Sequence, residues 1–323
     1  MIITRSLDDI RHDPNTIVTV GTFDGIHLGH REIIREAVRQ AHTVEARSAV
    51  VTFEPHPKQV VHSQRGPVAL LTTLEEKLIL LERESVDLVC VVPFTREFAQ
   101  QSPREFYEHV VVGRLGVRGV VVGTDHMFGR NRTGGTADLS TLGREFGFSL
   151  TTIPPLVVDE VRVSSTVIRR ALAVGDVARA SRFLGYPYSL SGVVVEGDRR
   201  GRTLGFPTAN LDPGQSLKVV PAHGVYVVGA QLGLEAKHGM MNIGNRPTLT
   251  DGSRLTVEVH LFGVDRDLYG ETVRVSFLAR LREEMQFHSA QDLVEQMHND
   301  REQAQRLLRQ TQGTEMDTKL LNS

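Results

Sequence analysis

The run Gly21-Thr22-Phe23-Asp24-Gly25-Ile26-His27-Leu28-Gly29-His30 carries the densest chemistry in the chain, between an apolar stretch and a helical pattern. Glycines at such a place let the backbone approach a phosphate, and a helix start offers unpaired amides and a favourable dipole. His27 and His30 can face one phosphate and stabilise the charge that grows on its oxygens as it is attacked. Gly21, Phe23, Asp24 and Gly29 complete the candidate nucleotide-binding turn. The plainer reading, two histidines that only cap the helix, stays open.

A second turn, Val163-Ser164-Ser165-Thr166-Val167-Ile168-Arg169, sets hydroxyls at a helix start with a guanidinium one turn later. Ser164, Ser165, Thr166 and Arg169 can hold the outer phosphates of a nucleoside triphosphate, or serve as ordinary caps and surface residues. Farther on, Gly201-Arg202-Thr203-Leu204-Gly205-Phe206-Pro207-Thr208-Ala209-Asn210 is no Walker A motif. The amides of Gly201 and Gly205 can nevertheless cradle phosphate beside Pro207, and Thr208 and Asn210 offer hard oxygens suited to Mg²⁺. A plain β-turn is the alternative. In the run Leu255 to Phe262, Glu258 and His260 share one strand face and Val257 and Val259 the other. Glu258 is then either a general base aimed at a hydroxyl or an exposed glutamate.

These residues need rigid elements to hold them. Thr16 to Val20, Ala49 to Phe53, Leu88 to Val92, Val120 to Val122 and Leu150 to Ile153 are near-continuous apolar runs alternating with helical patterns, the signature of a parallel sheet covered on both faces. Ile33, Ile34, Ala37, Val38 and Ala41 recur at helical spacing, and Ser102-Pro103-Arg104-Glu105 marks another helix start. Past Gly185-Tyr186-Pro187-Tyr188 come short alternating strands, Leu190 to Glu196, Gly224 to Ala230, Leu255 to Phe262 and Thr272 to Leu278. One long helical pattern, Ser289 to Arg309, follows them, with Leu293, Met297, Ala304 and Leu308 as its core positions. The fold class expected is α/β plus all-β: a Rossmann-like α/β/α domain over 1–185, an antiparallel β-barrel with a terminal helix over 186–310, and a frayed tail over 311–323.

The 323 residues suffice for two domains at roughly 100 to 200 residues each. With 37 basic against 39 acidic side chains, no overall positive field exists to hold a nucleic acid. No apolar run approaches the roughly 20 residues of a membrane span, and the first residues lack a secretory pattern, so a cytoplasmic location is expected. The single Cys90 reads as a buried thiol.

Taken together, the chain resembles the bacterial bifunctional riboflavin kinase and FMN adenylyltransferase (FAD synthetase) family over nearly its whole length. The resemblance rests on the histidine turn, Thr52-Phe53-Glu54-Pro55-His56-Pro57, Gly123-Thr124-Asp125-His126-Met127-Phe128-Gly129 and the Ser164-Ser165-Thr166 turn. In the second half it rests on Gly205 to Asn210, Asn242 to Thr248, Val257 to His260 and Asp267 to Gly270. It implies riboflavin, FMN, FAD and ATP as ligands and Mg²⁺ as cofactor. His27, His30, Ser164, Ser165 and Arg169 would handle ATP in the first half, and Phe53, Pro57 and Asp125 would line a flavin pocket. In the second half Glu258 would be the base, with Arg282 and Glu283 in a connection closing over flavin. Without the resemblance, Phe53 and Pro57 read as strand-end packing, His56 as a rigid-turn residue, and Arg282 with Glu283 as a solvated ion pair. The family pattern has phenylalanine and arginine where this chain has His126 and Met127, which removes a cation near the flavin contacts. Two rivals stand beside the main reading: adenylylation of another phosphate, such as nicotinate mononucleotide or phosphopantetheine, with the barrel sensing flavin, and a flavin-binding regulator without turnover.

Overall fold

A computed structural model describes residues 1–61, 68–130, 133–197, 205–214, 217–247 and 253–312. The chain divides into two compact units, Met1–Ser165 and Thr166–Ser323, ahead of the compositional change at Gly185.

In the first unit, β1 (Ile2–Thr4), β2 (Thr16–Val20), β3 (Arg47–Glu54), β4 (Leu88–Pro93), β5 (Gly119–Gly123) and β6 (Ser149–Ile153) form one sheet in the order β1-β4-β3-β2-β5-β6. Every pairing in it is parallel. The helices are α1 (Leu28–Thr43), α2 (Pro57–Val61), α3 (Leu74–Arg83), α4 (Pro103–Phe106, continuing as a π-helical stretch Tyr107–Leu115) and α5 (Thr136–Phe146). A short hairpin of β7 (Val157–Val158) and β8 (Val161–Arg162) follows the sheet.

The apolar runs are continuous because both sheet faces are covered. Val18, Val20, Val51, Cys90, Val92 and Val122 pack against Phe106, Tyr107 and Val110 on one face. Their sequence neighbours Val50, Val89 and Val91 pack with Ile34 and Leu81, and Ile17 and Val121 with Ala37 and Ala41. Cys90 is a buried free thiol. Ser102 and Glu105 close the expected capping box at the start of α4. The sequence pattern did not reveal β1, a three-residue edge strand whose Ile2 and Ile3 face solvent.

From β2 the chain moves outward to β3 and β4, then returns to the far side of β2 as β5. That reversal leaves a crevice at the C-terminal end of β2, and the Gly21–His30 turn occupies this end.

The second unit begins with α6 (Ser165–Ala173, its first residue shared with the first unit) and α7 (Val177–Leu184). Strands β9 (Ser189–Val195), β10 (Ala209–Asp212), β11 (Gly224–Leu232), β12 (Glu235–Pro247), β13 (Ser253–Leu261) and β14 (Thr272–Arg282) close a barrel in the order β10-β13-β12-β11-β14-β9. All its neighbours are antiparallel. Helix α8 (Ala290–Gln312) packs Ala304 and Leu308 on Phe206, Val225, Val227 and Met240. Leu293 and Met297 are half-buried. The expected tail lies almost wholly outside the described residues, and its first two positions continue α8.

Candidate active sites

The glycine-rich turn is held in an unusual backbone shape. Phe23, Gly25 and Ile26 all take positive φ, at 46°, 86° and 32°. For the two non-glycines this costs on the order of 1–3 kcal/mol each and persists only where packing enforces it. Here Phe23 and Ile26 are buried in the α1–α3 core. A Cβ at Gly21 would stand 3.0 Å from the Phe23 ring, so any larger residue there presses on that ring.

Asp24, 2% exposed, is the strut of this turn. Its Oδ1 accepts hydrogen bonds from the amides of Leu71 (2.9 Å) and Thr72 (3.1 Å), while the Gly25 amide donates to Thr72 Oγ1 at 3.0 Å. Ser165, the first residue of α6, donates its hydroxyl to the Asp24 carbonyl at 3.0 Å. The second candidate turn thereby braces the first. Thr166 is exposed on α6 and Arg169 half-buried; both belong to the second unit. Ser164 precedes the helix and is half-buried.

His27 and His30 stack with ring centroids 3.6 Å apart. His27 caps α1, its Nδ1 accepting from the His30 amide at 3.2 Å. A neutral His27 therefore carries its proton on Nε2, a donor. Capping and phosphate binding are compatible in this ring, because they use different nitrogens. Nδ1 of His30 is buried and meets no hydrogen-bond partner among the described residues. Burial, and then the neighbouring His27 and Lys77, holds the His30 pKa well below its ordinary 6.5. A Cβ added at Gly29 would lie 3.4 Å from the His27 ring, an ordinary van der Waals contact.

Phe53, the penultimate residue of β3, is half-buried, with Phe94, Phe98 and Phe106 at 5.6, 6.0 and 6.2 Å between ring centroids. Pro57 starts α2, and Asp125 follows β5 in an exposed ion pair with Arg162. Phe53 and Asp125 thus stand at the C-terminal ends of strands on either side of β2. His56 is a turn residue whose Nδ1 accepts from the Lys58 amide at 3.2 Å. In place of the family's phenylalanine and arginine, His126 stacks on Phe128 at 5.4 Å and Met127 is exposed.

In the barrel, antiparallel register builds the second candidate site. Glu258 is the cross-strand partner of both Asn210 on β10 and Asn242 on β12. Directly opposed residues project from the same sheet face, so Asn210, Glu258 and Asn242 form a row over three strands. Val257 and Val259, 4% and 1% exposed, point the other way. Thr208 donates to Glu258 Oε2 at 3.4 Å, and Asn210 lies over Gly197, where any Cβ would meet its amide nitrogen at 1.9 Å. His260 is buried beside the row; its Nδ1–H donates to the Pro207 carbonyl at 2.8 Å and fixes the segment carrying Thr208. Burial lowers the His260 pKa despite that bond. Gly205 turns with φ 80° just ahead of this segment, and Gly201 lies outside the described residues.

The expected loop is partly a strand, since Ala209 and Asn210 open β10, and β14 runs on to Arg282. Arg282 pairs with Asp300 of α8, Nε at 3.0 Å from both carboxylate oxygens and Nη2 at 2.8 Å from one. The Glu283 side chain is exposed and stands 3.9 Å from Arg280. The ion partner of Arg282 is thus Asp300, not Glu283. Asn242 and the buried Lys77 escaped the sequence reading. Asn242 lay within a motif but its strand was not recognised, and a lysine in a capped amphipathic helix gives no sign that it is buried.

Among the described residues no cluster of three or more His, Cys, Asp or Glu side chains could hold a metal. Thr208 and Asn210, beside the Glu258 carboxylate, are a hard-oxygen set that fits Mg²⁺, an ion that keeps waters and shares phosphate oxygens. No helix among the described residues is long and apolar enough to cross a membrane.

Comparison with known proteins matches each half of the chain to a family. Family models described as FAD synthetase and riboflavin kinase match residues 9–167 and 184–308. A Listeria monocytogenes protein described as a bifunctional riboflavin kinase/FMN adenylyltransferase is 36% identical over 89% of this chain and 91% of its own. An Escherichia coli K12 protein of the same description is 38% identical over 93% and 96%. A crystal structure of a Streptococcus pneumoniae protein named as a macrolide-efflux protein superposes with a TM-score of 0.85 at 32% identity, covering 94% of this chain and 98% of that one. By identity sustained over both units, the chain belongs to the bifunctional riboflavin kinase/FMN adenylyltransferase family.

Proposed function

We propose that the second unit phosphorylates riboflavin to FMN and the first adenylylates FMN to FAD. The observation that carries the reading is that each unit assembles its own phosphate-facing group: stacked histidines at a helix N-terminus in one, the Asn210–Glu258–Asn242 row beside Thr208 in the other.

In the kinase reaction Glu258 accepts the proton of the riboflavin 5′-hydroxyl, whose oxygen attacks the γ-phosphorus of ATP as ADP leaves. Thr208 and Asn210 would hold Mg²⁺, which would neutralise charge on the phosphate oxygens. Gly205 and Pro207 shape the ATP loop, to which Gly201 is assigned by its motif alone, while Arg282 and Glu283 flank the flavin from the end of β14. Arg282 meets this role while paired with Asp300, so its contact with flavin is through the segment it anchors.

In the adenylyl transfer an FMN phosphate oxygen attacks the α-phosphorus of ATP and pyrophosphate leaves. His27 donates through Nε2. His30, neutral before ATP arrives, gains affinity for a proton as the triphosphate's negative charge enters its buried surroundings. Gly21, Phe23, Asp24 and Gly29 shape the cradle, Ser164, Ser165, Thr166 and Arg169 serve the leaving phosphates, and Phe53, Pro57 and Asp125 receive the flavin. The domain bounds read from composition, 1–185 and 186–310, are the proposed functional limits, and the site of action is the cytoplasm.

Purified protein given riboflavin, ATP and Mg²⁺ should form FMN and then FAD. His27→Ala should abolish FAD formation and spare FMN formation from riboflavin; Glu258→Ala should abolish FMN formation and spare FAD formation from supplied FMN. Loss of both activities in either variant overturns the separate-site assignment.

A further inference from the structure

Resting on the adenylyl-transfer reading, we infer that Lys77 is a positioning residue of the N-terminal site, holding the glycine-rich turn in its reactive shape through Thr52. Lys77 lies on α3, away from every motif, yet it is only 4% exposed. Burying an ammonium costs several kcal/mol unless nearby groups compensate, so a helix lysine facing inward needs a reason.

Its surroundings supply one. Lys77 Nζ stands 3.2 Å from Thr52 Oγ1, and Thr52 Oγ1 stands 3.2 Å from the Thr22 carbonyl. The direction of this chain is fixed by donor chemistry. An ammonium can only donate and a carbonyl can only accept, so the Thr52 hydroxyl accepts from Lys77 and gives its single proton to Thr22. Thr52 is itself fully buried in β3. The relay therefore joins three elements: α3, the end of β3, and the residue immediately before Phe23, where the backbone enters its left-handed shape.

The charges around Lys77 are arranged for the same purpose. Burial lowers the Lys77 pKa, Asp24 and Glu54 offset that in part by favouring the charged form, and Lys77 acts in turn on His30 and Glu54. Asp24 is the strut of the turn, bound to the 71–72 backbone just before α3. Lys77 thus engages the turn twice, by hydrogen bonds through Thr52 to the Thr22 carbonyl and by charge to Asp24. Replacing Lys77 alone also withdraws its charge from Asp24 and Glu54, so lost stability does not separate a folding role from a positioning one. A lysine that sets the carbonyl of Thr22 and the poise of Asp24 shows itself instead in adenylylation kinetics, with the second unit's activity kept.

The test compares wild type, Lys77→Met, Thr52→Val and the double variant in the full chain. Each preparation is assayed for FMN adenylylation, with riboflavin phosphorylation on the same sample as control, and titrated with ATP by calorimetry. Lys77→Met and Thr52→Val should each lower kcat for adenylylation by at least about tenfold and raise the KM for ATP, with the KM for FMN within twofold. Riboflavin phosphorylation should stay within twofold. The double variant should be no slower than the slower single, because both changes cut one chain. Adenylylation within threefold of wild type in either single, or multiplicative losses in the double, overturns the inference. Should Lys77→Met lose the control activity as well, Thr52→Val, which keeps the branched shape, decides alone. Absence of FAD formation by the wild type refutes the adenylyl-transfer reading instead, and calorimetry then judges Lys77: unchanged ATP affinity in both singles overturns its role.

Discussion

The Arg282–Asp300 pair offers a measurable test of how α8 is fastened to the barrel. The Asp300 side chain is 4% exposed and that of Arg282 17%, so neither ion is well solvated, and three contacts of 2.8–3.0 Å join them. Gln296 adds a fourth hydrogen bond to Asp300 at 2.8 Å. Removing one member of such a pair strands the other's charge, at a cost of roughly 3–5 kcal/mol; the residual exposure of Arg282 puts Asp300→Ala near the lower end, about 3 kcal/mol. For a unit of this size roughly 2–4 °C of melting temperature accompanies each kcal/mol, so Asp300→Ala should melt the second unit about 6–12 °C earlier. The double variant Arg282→Met/Asp300→Leu buries no charge and should recover most of that loss. Calorimetric scans of the three proteins, with riboflavin phosphorylation after each, decide the matter. A melting point within 2 °C of wild type for Asp300→Ala would refute the reasoning, as would a double variant no more stable than the single.

Glu258→Gln keeps the shape of the Asn210–Glu258–Asn242 row but cannot accept a proton; initial rates should show riboflavin phosphorylation reduced at least about a hundredfold with FAD formation from supplied FMN unchanged. His260→Phe keeps the ring among Phe206 and Phe262 but loses the donor to Pro207, and His260→Asn returns a donor near the Nδ1 position. Phosphorylation should fall about five- to tenfold in the first and recover substantially in the second, as one hydrogen bond of about 1 kcal/mol requires. Because His30 is held neutral in the fold while an unfolded histidine binds a proton below 6.5, the unfolded state takes up more protons there. The first unit should therefore lose stability as pH falls from about 6.5. His30→Gln should show less of that loss in paired melts at pH 5.5 and 7.5; equal loss in both proteins would contradict the assignment.

How much of this was legible beforehand follows from the range over which each signal acts. The parallel sheet announced itself because strands buried on both faces are apolar at every position, and Thr16–Val20 is buried throughout. The histidine turn did too, since glycine, histidine and a helix start lie within one short segment. The fastening of that turn did not, because it depends on residues far along the chain: Leu71 and Thr72 on the Asp24 carboxylate, Ser165 on the Asp24 carbonyl, Lys77 through Thr52 on Thr22. Likewise, period two placed Glu258 opposite in face to Val257, but only register could set it between Asn210 and Asn242. A single sequence reports what each segment prefers, whereas a site is fixed by which segments meet. For that reason the groups read from motifs are mostly those expected to face substrate, and the groups whose part emerges only from the fold, Lys77, Thr52, Thr72, Asp300 and the Pro207 bond of His260, hold other residues in place. If that division is real, variants of the second set should change rates through geometry, coupling strongly to their partners, while variants of the first should abolish one reaction outright.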